Sequence, residues 1–154
     1  MNRALILAAL GTSLIVLPAG KLQAENGIIQ LKSPYSVEET ATRLKTVLEQ
    51  RGLMLVGTVD HTAAAAAIGQ QLRPTRLFIF GNPRAGTPLM QCNQTAAIDL
   101  PMKALIWTDE VGQVWLGYND PSYLQARHGL AGCETVLQGM AQALAAIAQA
   151  VTKP

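Results

Sequence analysis

Two stretches of the chain repeat apolar residues at helical spacing. Val37, Ala41, Leu44 and Leu48 fall on one stripe, with Val47 beside it. Near the C-terminus, Val136, Leu137, Met140, Leu144, Ile147, Ala148 and Val151 form another, predicting a helix from about Cys133 to Val151 with one face on a sheet. The first stripe opens with Ser36-Val37-Glu38-Glu39, a capping box, and stops at Gly52, which supplies a left-handed cap. Extended stretches separate these helices. Gly27 to Lys32 alternates, while Leu53–Val59 and Thr75–Phe80 are apolar on both faces, which predicts strands that are central or covered on both sides. Lys103–Thr108 and Gln113–Tyr118 flank Asp109-Glu110-Val111-Gly112 and read as a hairpin.

The remaining elements follow from local signals. Asp60 or Thr62 caps a helix over about 62–72 built on Ala63 to Ala67 and ended by Pro74. Asp120-Pro121 opens another, terminated by Gly129 after His128. Asn82 to Met90 carries Pro83, Gly86 and Pro88, with Gly81 ahead, and predicts an ordered, non-repetitive loop. A short helix would start at Thr87-Pro88 and run to Ala97. The order is β-α-β-α-β-loop-β-β-α-α. Its early βα alternation suggests some parallel pairing, and the hairpin is antiparallel. The expected fold is α+β: a mixed, mainly antiparallel sheet with helices packed on one face, in a single domain over residues 25–154.

The N-terminus changes the picture of charge. Asn2-Arg3, the uncharged run Ala4–Leu17, the breakers Pro18 and Gly20, and Leu22-Gln23-Ala24 read as a signal peptide over residues 1–24. The apolar run is shorter than the roughly 20 residues of a membrane span, so no membrane association is expected after cleavage. The protein is expected to be periplasmic or secreted. Of its twelve Lys and Arg residues, Arg3 and Lys21 fall in the leader, which leaves ten against the ten Asp and Glu. A near-neutral chain without a basic run gives no argument for nucleic acid. Cys92 and Cys133 are an even count in an oxidising compartment and predict a disulfide.

Candidate chemistry is sparse. Met90-x-Cys92 is the only close pair of soft ligands, and no His-x-x-x-His or Cys-x-x-Cys spacing occurs. No metal, cofactor or catalytic residue is predicted. The alternative that survives is a polar pocket for a small ligand at strand ends and adjoining loops. Its candidate residues are His61, Asn82, Arg84, Thr87 and Asn119. Arg84 would grip a carboxylate or oxyanion bidentately, with amides near Gly86-Thr87 adding donors. Two other readings stand beside it. One is a small enzyme with His61 as acid/base and Arg84 as oxyanion holder. The other is a protein–protein module using the Ala-rich helix and the Asn82–Met90 segment.

Gly81-Asn82-Pro83-Arg84-Ala85-Gly86-Thr87-Pro88-Leu89-Met90, Leu100-Pro101 and Tyr118-Asn119-Asp120-Pro121 occur in that order. In these motifs the chain resembles the family called domain of unknown function 302, from about residue 30 to 130. The resemblance implies a compact α/β domain that commonly forms homodimers. It implies no reaction, substrate or catalytic residue. The leader and the cysteine pair look like features of an exported branch. With the small-residue helix, the resemblance makes a homodimer the expected assembly.

Overall fold

The computed structural model describes residues 27–154. The leader predicted over residues 1–24 lies outside them. The elements are β1 (Ile28–Ser33), α1 (Val37–Gln50), β2 (Met54–Asp60), α2 (His61–Ala67), β3 (Thr75–Gly81), α3 (Pro83–Cys92), a short 3-10 turn (Gln94–Ile98), β4 (Met102–Thr108), β5 (Val114–Asn119), α4 (Pro121–His128) and α5 (Glu134–Thr152). One five-stranded sheet runs β1-β5-β4-β3-β2. Every neighbouring pair is antiparallel. The α+β expectation holds, but no parallel pair forms. β1 and β2 point the same way at opposite edges, and α1 carries the chain across the sheet between them. The βα alternation in the sequence is therefore a crossover that skips three strands.

The helices cover one face. Phe78, Phe80, Ala104, Ile106, Leu116 and Tyr118 of the sheet meet Leu44 and Leu48 of α1 and Leu144, Ile147 and Val151 of α5, all buried. Burial of such side chains stabilises by about 1.5–3 kcal/mol each. The capping box forms its first half: the Glu39 amide donates to Ser36 Oγ at 3.1 Å. Arg43 then ties α1 to the end of α5, donating to the Val151 carbonyl at 2.8 Å and the Lys153 carbonyl at 2.8 Å. On the other face Trp107 and Trp115 stack at 6.3 Å. Gly117 lies under them: a Cβ there would sit 2.9 Å from Trp107 Cζ3, so the indole needs a glycine.

Three local expectations are corrected. β2 is an edge strand, not a central one, with Met54 57% and Val56 55% exposed. Apolar residues on both faces show what a strand wants to bury, not whether its own chain does it. α2 ends at Ala67, because Gly69 turns left-handed at φ +72°. Residues 83–92 are a helix, not a loop. Asn82 caps it through Oδ1, which accepts from the Arg84 amide at 2.9 Å, and Pro83 sits in the first turn where no N–H is needed. Pro88 lies inside the helix.

The carboxylates at turns and caps set an acid dependence. The Trp115 indole N–H donates to Asp109 Oδ2 at 2.8 Å. That bond and the Gln113 and Val111 amides hold the Asp109 carboxyl below its ordinary range. The Ala63 amide, helped by Arg76, does the same for Asp60. A depressed folded value means the ionised form is favoured by folding. The stability gained is complete above the unfolded value of about 4 and disappears as pH falls through the lower folded value. The melting temperature should thus drop below about pH 4, and Asp109→Asn should flatten that drop. An unchanged acid slope in the variant would rule Asp109 out as a contributor.

Candidate functional site

A cavity of about 470 Å³ opens on the helix side of the sheet, between α3 and α5 and above the ends of β2 and β3. α3 presents Pro83, Gly86, Thr87 and Met90, one helical face. α5 presents Val136, Gly139, Met140, Ala143, Leu144 and Ile147, again one face. Phe80 and Met102, paired across β3 and β4, also line it, as do Ala97, Leu100 and Pro101 after α3 and Met54 and Val56 of the β2 edge. Among the described residues no charged side chain lines it, and the only polar ones are Asn82 and Thr87.

Small residues make the space. Gly139 lies within α5, where glycine is less stable than alanine by roughly 0.5–1 kcal/mol. A Cβ there would meet nothing within 4 Å. Backbone crowding therefore does not require this glycine, and the side chain it lacks would project into open space beside the cavity. Cys92 ends α3 and Cys133 precedes α5, and their sulfurs lie at bonding distance with Cα atoms 6.6 Å apart. This pair fastens the two helical walls together beside the cavity. No free cysteine is left.

The structure brings some of the sequence-derived candidates together and separates others. Asn82, Arg84 and Thr87 share the first turns of α3, and Asn82 and Thr87 line the cavity. Arg84 is exposed and makes no ion pair among the described residues. Asn119 ends β5, two strands from β3 and at the same end of the sheet as α3, but it follows Tyr118 of the core and so faces the opposite side of the sheet, away from the cavity. His61 begins α2, beyond Asp60. Asp60 pairs with Arg76 and Met54 with Gly81, so His61 stands at the opposite end of the β2–β3 ladder from α3. The separation is about 20 Å at the rise of a strand. The first-turn amides of α3 are already engaged: that of Arg84 donates to Asn82 Oδ1, and those of Ala85 and Gly86 to the Asn82 carbonyl at 3.0 and 3.1 Å.

A part-buried polar cluster joins α4 to the 3-10 turn. His128 Nε2 lies 2.7 Å from Asp99 Oδ2 and Nδ1 lies 2.9 Å from Thr95 Oγ1, while Asn93 Nδ2 donates to the His128 carbonyl at 2.7 Å. Asp99 is thus held by His128 and Arg127. The sequence put His128 at a helix end but gave no sign of partners some thirty positions away. Among the described residues no group of three His, Cys, Asp or Glu is placed to hold a metal. In the sequence the apolar lining is indistinguishable from core. Its one sequence signal was Gly139, a helix-weakening residue set within an apolar stripe.

Fold and cavity together define a compact α+β domain whose one-sided helical layer leaves an apolar hollow at the end of the sheet. The chain belongs to the family described as Domain of unknown function DUF302, whose model matches residues 29–147. A solved structure, the uncharacterized conserved protein DUF302 from Bacillus stearothermophilus, superposes with a TM-score of 0.75 at 18% identity, over 82% of this chain and 98% of that one. That likeness shows the fold. Among curated proteins, the Fluoride-specific ion channel FluC 1 of Brucella suis biovar 1 (strain 1330) is 44% identical over 106 residues, 69% of this chain and 42% of that protein. FluC 1 of Brucella abortus biovar 1 (strain 9-941) is 44% identical over the same length, covering 39% of that protein. The chain thus spans less than half the length of these relatives. Among the described residues no helix is long and apolar enough to cross a membrane.

Proposed function

We propose that this protein is an exported domain that binds a small apolar molecule in the cavity between α3 and α5. The cavity itself carries the reading. About 470 Å³ lies within the range of small-molecule sites, and its lining is apolar apart from two neutral side chains. The cysteine pair favours a periplasmic or secreted home, where such bonds persist. An oxyanion pocket around Arg84 draws less support, because the nearby helix amides are satisfied and the guanidinium lies outside the lining. The enzyme reading needs His61 and Arg84 at one site, and they stand at opposite ends of a strand pair. The described lining holds no cation to pair with a fluoride ion. The test is titration of the uncharged fluorophore N-phenyl-1-naphthylamine. Saturable enhancement with one site per chain is the expected result, and a linear, non-saturating response would overturn the reading.

A second reading, self-association, rests on β2. This edge strand pairs with no strand on its outward side among the described residues and exposes Met54, Leu55, Val56 and Val59. An open apolar edge is a template for another strand. A homodimer joined along β2 would cover it. Light scattering at tens of micromolar should give twice the mass of one chain, and Val56→Lys should return the single mass. A single-chain mass for the unaltered protein would remove the dimer.

A further inference from the structure

The polar chemistry of the cavity narrows what can occupy it. Asn82 serves as the N-cap of α3, and its Oδ1 accepts from the Arg84 amide at 2.9 Å. That bond fixes which end of the amide is which. Asn82 Nδ2 is left as a donor with no partner among the described residues, beside the cavity that Asn82 lines. The Thr87 hydroxyl, on the same wall, is likewise without a partner among them. Among the described residues these two neutral groups are the whole polar side-chain complement of the lining. A carboxylate entering would lose its hydration without meeting a cation, and the amides of the first turn are already spoken for. An ammonium would meet no carboxylate. A pure hydrocarbon would leave a donor unmatched where it displaces water.

The geometry points to a neutral, mainly apolar molecule bearing one carbonyl- or ester-type oxygen, with that oxygen accepting from Asn82 Nδ2 and the hydrocarbon lying between α3 and α5. This rests on the reading of the cavity as a ligand site, and it adds the ligand's chemical class. Thr87 serves the same oxygen or a second one farther along the helix.

A matched ten-carbon series tests it: decane, 2-decanone, decanoate and decylammonium, each displacing N-phenyl-1-naphthylamine from the full chain at neutral pH. The ketone should bind about fivefold tighter than decane, the worth of one net hydrogen bond. It should bind at least about tenfold tighter than either ion, whose charge stays undesolvated only outside the cavity. Asn82→Asp is the decisive variant. Aspartate caps a helix as well as asparagine does, so α3 is kept while the donor is lost. The ratio of ketone to decane affinity is the readout, and the ketone's advantage over decane should vanish in this variant. Decanoate binding as tightly as 2-decanone would overturn the assignment in favour of recognition by Arg84. Equal affinity for ketone and decane in the unaltered protein would overturn it as well, while leaving the cavity reading intact because the probe still binds. Failure of the probe to bind would remove both.

Discussion

Replacing Gly139 by leucine should abolish saturable binding of N-phenyl-1-naphthylamine and raise the melting temperature by a few degrees. The two effects share one cause. Gly139 lies within the 19-residue helix α5 and beside the cavity, with open space where its side chain would be. A leucine there removes the backbone-entropy cost of a helical glycine, about 0.5–1 kcal/mol. Its branched end then occupies the space the probe needs. Most changes that ruin a binding site also weaken the fold, so a variant that is firmer yet empty separates occupancy from folding. Gly139→Ala should show the stabilisation with most of the binding retained. Undiminished probe binding in the leucine variant would place the probe elsewhere and sink the cavity as the site.

The second large effect concerns the cysteines. Cys92 and Cys133 are 41 positions apart, and closing a loop of that length stabilises by about 4 kcal/mol through the entropy of the unfolded chain. Alanine at both positions should lower the urea midpoint by about 2 M, given a dependence of roughly 2 kcal/mol per molar for a domain of this size. Unfolded, unreduced protein should show no reactive thiol. Because the pair joins the two walls of the cavity, the double variant should also bind the probe less tightly after its lower stability is accounted for. Equal midpoints with two titratable thiols would mean that the pair does not close in solution.

What the sequence disclosed follows from how far apart the interacting residues lie. The Ser36 cap, the Asp120-Pro121 start with its Gly129 stop, and the hairpin around Asp109 are each written within a few neighbouring residues, and each is found where expected. Asn82-Pro83 is the same kind of start as Asp120-Pro121. Gly86 and Pro88, both poor helix formers, hid it. The place of β2 was hidden for another reason. Its apolar pattern is real, but strand order depends on which strands pair, and no local signal records that α1 spans the sheet from edge to edge. The candidate site divides the same way. Asn82, Arg84 and Thr87 lie close together because they are close in sequence. His61 and Asn119 depend on register, which sets one at the far end of the sheet from α3 and the other at its end but on the opposite face. Apart from Gly139 the cavity leaves no mark in the sequence, since its walls are apolar stripes that look like any buried helix face.

The edge position of β1 bears on the order in which the fold can be completed. β2, β3, β4 and β5 are neighbours both in sequence and in the sheet, so each can pair with the strand made just before it. β1 cannot. Its partner is β5, with Ile28 opposite Asn119 and Ser33 opposite Val114. A chain that emerges N-terminus first must carry β1 unpaired until Val114–Asn119 has appeared. Non-local pairing of this kind slows closure of the sheet. β1 is therefore the last strand to lock, only after β5 has been made.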